Sequence, residues 1–188
     1  MRLADLVKWR RRSEVALSDG TVALRPWRDG DAQDLFAAAQ DPDIAWRIPI
    51  PSPFTIDDAR RFIRYSQQAE RHNDVASFAI VDAANGRLLG SISRYRPTPQ
   101  VASFGYWLAA DARGQGAATR ALRLVSDWTL AGTDVELLEV EVVVGNETSV
   151  RVAERAGFVR TEILKDNYVE RGVTRDCVLL ERWRPLPR

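Results

Sequence analysis

Arg113, Gly114 and Gly116 share one short turn, and about thirty residues later Asn146 and Ser149 open what reads as a helix. The first group is suited to holding an anion, and the second reads as a helix cap with a serine on the first turn. A helix begins with amide N–H groups that lack intrahelical partners and carry the positive end of the helix dipole, so a phosphate docks there readily. Gly114 and Gly116 remove the Cβ atoms that would keep a diphosphate off the backbone, and Arg113 adds positive charge. Taken alone, such a turn reads equally well as an ordinary tight strand-to-helix connection. It matches neither G-x-x-x-x-G-K-[ST] nor G-x-G-x-x-G, so the two standard nucleotide readings fail.

The elements that must position this turn are legible on either side of it. Residues 104–109, Phe-Gly-Tyr-Trp-Leu-Ala, have the length and composition of a strand. From Ala117 the apolar positions Ala118, Ala121, Val125 and Trp128 follow helical spacing as far as Gly132, read here as the C′ glycine.

Arg113-x-x-Gly116-x-Ala118 resembles the acetyl-CoA signature [QR]-x-x-G-x-[GA] of the GNAT acyltransferases. Asn146-Glu147-Thr148-Ser149, followed by Ala153-Glu154-Arg155-Ala156-Gly157-Phe158, looks like the same family's N-x-x-S helix ending in Gly-Phe. The two motifs occur in the family's order, and the likeness covers roughly residues 20–184. It is nearest to the bacterial ribosomal-protein N-terminal alanine acetyltransferase subgroup.

The resemblance implies an α/β GNAT fold, with a mixed, mostly antiparallel sheet, splayed central strands and helices on both faces. It implies acetyl-CoA as co-substrate, no metal, and an amine attacking the thioester directly without a covalent enzyme intermediate. The cofactor would be held by Arg113, Gly114, Gln115, Gly116, Ala117, Ala118 and Thr119, by backbone groups of Trp107, Leu108 and Ala109, and by Asn146 and Ser149. Ser149 is the expected proton donor, with Tyr168 as a second catalytic candidate. Trp46, Phe54 and Tyr106 are candidate acceptor contacts. The carboxylate that many relatives carry just before Gly-Tyr-Trp is replaced here by Ser103 and Phe104, so the base stays open among Glu139, Glu141, Asp166 and Tyr168.

The acceptor is also left open between a peptide or protein N-terminus and a small-molecule amine, including an antibiotic. Segment 44–54 carries Trp46, isoleucines, prolines and Arg47 but no carboxylate, which favours a weakly charged acceptor. A CoA-binding module without catalysis is the rival reading, as is an interaction protein using the basic amino-terminal segment.

Composition bounds these readings. With 27 basic and 26 acidic residues among 188, the net charge of +1 gives no electrostatic case for nucleic acid or a membrane as partner. Cys177 is the single cysteine and His72 the single histidine, which excludes an internal disulfide and a His/Cys metal cluster. The expected compartment is the cytoplasm, and a homodimer is left open. Cys177 reads as a buried strand thiol.

The remaining chain divides into a helical extension, 1–18, with Lys8, Arg10, Arg11 and Arg12, and one domain, 19–188. A strand over 21–25 should close at Pro26 and a helix should follow over 29–40, stopped by Asp41-Pro42. A stiff loop is expected over 48–54, and Thr55 with Asp58 forms a capping box for a helix running to about His72. Strands are expected over 75–81 and 87–95, joined by Ala84-Asn85-Gly86. Further strands cover 138–144, 158–164 and 173–183, with a loop at Asn167-Tyr168 and a turn at Arg171-Gly172.

Overall fold

In the computed structural model, residues 16–48, 50–69, 75–170 and 172–185 are described. The basic stretch of the proposed extension and His72 lie outside them. Among the described residues eight strands form one sheet: β1 (Leu17–Ser18), β2 (Val22–Pro26), β3 (Val75–Asp82), β4 (Leu88–Tyr95), β5 (Val101–Leu108), β6 (Leu137–Val143), β7 (Val159–Glu170) and β8 (Val173–Trp183). Their order across the sheet is β1-β2-β3-β4-β5-β6-β8-β7. Every neighbouring pair is antiparallel except β5 and β6. The helices are α1 (Ala32–Ala39), α2 (Pro42–Arg47), α3 (Ile56–Ala69), α4 (Ala117–Gly132) and α5 (Glu147–Arg155).

Alternation along the strands builds two cores, one on each face. Phe78, Ile80, Ile92, Phe104, Leu138, Val140 and Leu180 point to one face, where Leu122 and Val125 of α4 and Val150 and Ala153 of α5 cover them. On the other face Ala79, Val81 and Leu88 meet Leu35 of α1, Ala59 and Ile63 of α3, and Trp27. Leu122 and Val125 are fully buried, so truncating Leu122 to alanine would cost on the order of 2–5 kcal/mol. Ala117, Ala118 and Ala121 are buried along α4, and their small size lets the start of that helix lie close against the sheet.

The feature that matters for function is where β5 and β6 stop pairing. Their rungs are Val101 with Leu137, Ala102 with Leu138, and Ser103 with Glu139. Beyond Ser103 the strands part, and residues 104–108 of β5 have no β6 partner. Gly90 of β4 helps explain the bend: a Cβ there would collide with the Trp107 carbonyl and lie 2.9 Å from the Leu108 Cα. Only glycine lets the end of β5 lean this far onto β4.

Several sequence expectations are corrected. β2 closes at Pro26 as expected, but starts at Val22 and includes Pro26 as its last residue, facing Phe78. Asp41-Pro42 does not merely stop α1; Asp41 caps a new helix, α2, with Pro42 at its first position and the Asp43 amide donating to its side chain at 2.9 Å. Gly132 is the last residue of α4 rather than a left-handed C′ glycine, and the extended Thr133 follows it. Asn167 and Tyr168 belong to β7, which runs past a bulge between Leu164 and Tyr168 where Asp166 takes a positive φ of 51°.

Other expectations hold. Thr55 and Asp58 make the capping box that opens α3, with the Thr55 amide donating to Asp58 at 2.8 Å and the Asp58 amide to Thr55 Oγ1 at 3.2 Å. The Asp58 carboxyl is held below its ordinary value by the Thr55 hydroxyl and amide. Gly157 ends α5 in a Schellman motif: its own amide donates to Glu154 and that of Phe158 to Ala153. Among the described residues no helix is long and apolar enough to cross a membrane.

Candidate active site

The free edge of β5 has a definite phase. The Ala109 amide donates to the Leu89 carbonyl at 2.9 Å, and the register pairs Leu108 with Gly90, Tyr106 with Ile92 and Phe104 with Arg94. In an antiparallel ladder this directs the backbone N–H and C=O groups of Phe104, Tyr106 and Leu108 away from β4, into the opening. Of the stretch expected to pair with the pantetheine arm, Leu108 therefore presents its groups there, while the amide of Ala109 is spent on β4. Tyr106 extends the free edge by one further pair.

At the end of β5 the chain makes a short 3₁₀ turn, Ala110–Ala112, and swings into α4 through Gly114 and Gly116. Both glycines have positive φ, 75° and 79°, and Gly116 is the N-cap in the left-handed conformation. No side chain caps α4 and no acidic residue sits in its first turn, so the positive end of its dipole is unneutralised. A Cβ built on Gly114 or Gly116 meets no atom within 4 Å, so the space beside the turn is open. These features fit a diphosphate. Gln115 braces the turn by donating to the Asp111 carbonyl at 2.9 Å.

The Arg113 side chain is directed elsewhere. Its guanidinium donates to the Leu108 carbonyl at 3.2 Å, to Asp41 at 2.5 Å and to Asp43 at 3.2 Å. The positive charge expected to face the diphosphate is shared with two carboxylates of α2.

On the far side of the opening Asn146 caps α5, its side chain accepting from the Ser149 amide at 3.3 Å. Ser149 thereby stands on the first turn with its hydroxyl 2.8 Å from the Tyr106 hydroxyl, which also donates to the Ser149 carbonyl at 3.0 Å. Because a carbonyl only accepts, the Tyr106 proton is committed to it, and the Ser149 hydroxyl donates to the phenol oxygen. Burial pushes the Tyr106 phenol up to about 12, with the Ser149 hydrogen bond working in the opposite direction. Tyr106, expected among the acceptor contacts, is thus joined to the serine expected as proton donor. The sequence reading missed this pair.

The candidate bases separate clearly. Glu139 shares its rung with Ser103 on one side and Glu181 on the other, at the point where β5 and β6 part. Burial, then the like charges of Glu181 and Glu141, lift its carboxyl above the ordinary value. Glu141 accepts from the Asn167 side chain at 2.6 Å. Asp166 sits exposed in the β7 bulge, its amide donating to Asp176 at 3.1 Å. Tyr168 is half-buried and faces Arg175 across the hairpin. Cys177 is buried and burial raises its thiol, as Glu141 does to a smaller degree. Of the expected acceptor residues, Trp46 lies on α2, and Phe54 is half-buried against the core that Trp107 also flanks.

A strand end with a free backbone edge, a glycine turn at a bare helix N-terminus and a hydroxyl pair thus lie around the gap between β5 and β6. The acetyltransferase (GNAT) domain family model matches residues 21–159, and the chain belongs to the GNAT acetyltransferases. It is 29% identical over 176 residues, 90% of this chain and 97% of the other, to the Bacillus subtilis (strain 168) protein named Probable N-acetyltransferase YjcK. Two solved structures share the fold. One is RimL, the ribosomal L7/L12 alpha-N-protein acetyltransferase in complex with coenzyme A, with TM-score 0.80, 19% identity, and 90% and 98% of the two chains covered. The other is the microcin C7 self-immunity acetyltransferase MccE in complex with acetyl-CoA and AMP, with TM-score 0.79, 21% identity, and 91% and 96% covered. The chain is an acetyl-CoA-dependent N-acetyltransferase.

Proposed function

We propose that the acceptor is the free α-amine of a peptide or protein N-terminus, attacking the thioester directly within the gap between β5 and β6, in the cytosol. The observation that carries the placement of the chemistry is the Tyr106–Ser149 contact across that gap. Acetyl-CoA supplies the acetyl thioester. The chain's own residues bind it, orient it and manage the protons.

The amides at the start of α4 grip the diphosphate, and the Leu108 amide and the backbone groups of Tyr106 align the pantetheine arm as an added strand would, the Leu108 carbonyl being held by Arg113. At about 12, the phenol is some three and a half pH units less acidic than an ordinary thiol near ~8.5, so giving up its proton outright is uphill by roughly 5 kcal/mol. Tyr106 and Ser149 therefore act as a fully protonated donor pair. Ser149 donates a hydrogen bond to the departing sulfur while Tyr106 keeps its own proton on the Ser149 carbonyl, and the thiolate takes up, through water, the second proton that the attacking nitrogen sheds as the amide forms. Glu139, held above its ordinary value, takes the proton from the amine through water, since a base closer to neutral is better matched to an ammonium at working pH.

The peptide reading rests on the wall formed by α2 and the loop that follows. Segment 44–54 has no carboxylate, and the two acids just before Ile44, Asp41 and Asp43, are both paired with Arg113. The RimL name, an alpha-N-protein acetyltransferase, is in keeping with this reading. A second reading, a compact cationic amine, is favoured by the mutual proximity of Glu139, Glu141 and Glu181. A competition assay with acetyl-CoA, a short alanine-initiated peptide and a polyamine separates them. Preferential acetylation of the peptide is expected, and preference for the polyamine would move the acceptor site to the glutamates.

A further inference from the structure

We propose that Arg113, Asp41 and Asp43 form a clasp through which CoA bound at the β5–α4 turn fixes the position of α2. Asp41 and Asp43 thereby become positioning residues for the acceptor. The proposal rests on the reading of α2 and the loop after it as the acceptor wall, although the clasp itself does not depend on which amine is acetylated.

One guanidinium joins three parts of the fold. It donates to the Leu108 carbonyl on the free edge of β5, to Asp41 at the N-cap of α2, and to Asp43 in the first turn of α2. Asp41 is used twice: one oxygen accepts the Asp43 amide and caps the helix, and the other accepts Arg113. Exposure ranks the two ion pairs. The Asp41 side chain is 18% exposed and that of Asp43 69%, so solvent screens the second far more than the first. Arg113 is also the residue before Gly114, in the turn that would cradle the diphosphate. Anything that binds the amides of that turn immobilises the backbone carrying the guanidinium, and the two carboxylate contacts pass the constraint to α2. By linkage the effect is reciprocal: a seated α2 favours the binding-competent turn.

The substitution Asp41→Asn isolates the clasp, because asparagine keeps the oxygen that caps α2 while losing the charge that holds Arg113. Hydrogen exchange with and without saturating CoA reads the coupling without any acceptor. In the wild type, CoA is expected to slow exchange of the α2 amides by about fivefold, the low end of ordinary allosteric couplings. In Asp41→Asn that slowing should fall below about twofold, while amides at the start of α4 remain protected. Wild-type α2 amides indifferent to CoA, or equal slowing in both proteins, would overturn the proposal. So would tighter CoA binding by Asp41→Asn, since Arg113 would then be withheld from the diphosphate by its carboxylates.

Kinetics with an alanine-initiated tetrapeptide then separate the two layers. The expected outcome is a severalfold rise in peptide KM for both Asp41→Asn and Phe54→Ala, with acetyl-CoA binding little changed in Phe54→Ala and weakened by no more than about fivefold in Asp41→Asn, as the reciprocal coupling requires. An effect of Phe54→Ala without one of Asp41→Asn defeats the positioning role. No effect of Phe54→Ala defeats the acceptor-wall reading and leaves the exchange result to decide the clasp.

Discussion

The Tyr106 and Ser149 hydroxyls meet at 2.8 Å although 43 residues separate them in the chain. Ser149→Ala is expected to lower kcat by about 10²-fold, the lower end of acid–base contributions, with acetyl-CoA KM within about twofold. The fold should survive, because Tyr106 retains the Ser149 carbonyl oxygen at 3.0 Å. Tyr106→Phe should cost about tenfold. If the two act as one donor unit, the double variant is little worse than Ser149→Ala alone. Steady-state kinetics of the three variants check this, and multiplicative losses would show independent roles.

Gly90 predicts a different kind of failure. In Gly90→Ala the added Cβ runs into the Trp107 carbonyl and the Leu108 Cα, both backbone, so the end of β5 must move. Overpacking of this kind costs about 1–3 kcal/mol, and about 2–4 °C of Tm for each kcal/mol at this chain length. Because the displaced segment is the edge offered to the pantetheine arm, CoA affinity should fall in the same variant. Thermal melting and calorimetry give the two numbers, and a loss of stability with unchanged CoA affinity would detach β5 from cofactor binding.

Glu139 predicts a pH signature. Its carboxyl is raised above the unfolded value by burial and by Glu181 and Glu141, so between the unfolded and folded values the native state holds the extra proton. Stability from this group is therefore lost as pH rises through that window. Glu139→Gln should melt higher than wild type at pH 7 and equally below about pH 4, the ordinary carboxylate range. As the base, it should also be needed for turnover. A variant that is stabilised yet fully active would leave the glutamate as a source of strain without a catalytic role.

Much of this site was legible because its signals are local. The glycine turn, the helix spacing of Ala118, Ala121, Val125 and Trp128, the Asn146 cap and the Gly157 stop each depend on residues within a turn or two. What escaped depends on the third dimension. The Tyr106–Ser149 contact requires β5 and α5 to face each other across the gap, and the Arg113–Asp41 pair spans 72 positions. Gly90 looked like any strand glycine, although a glycine inside a strand is itself a sign of close backbone approach. Helix α2 was hidden because Pro42 was read as a stop signal, whereas after a capping aspartate proline also starts a helix. Asn167 and Tyr168 read as a loop because a bulge places loop-like residues within β7.

The grip on the diphosphate can be tested alone. Isothermal titration of CoA into the wild type and into Gly116→Val measures it, with thermal melting to show that the variant stays folded. Valine adds a branched side chain beside the α4 amides and strains a backbone position whose φ is 79°. The expected result is saturable binding by the wild type and none by the variant; equal affinity in the two proteins would contradict the placement of acetyl-CoA at this turn.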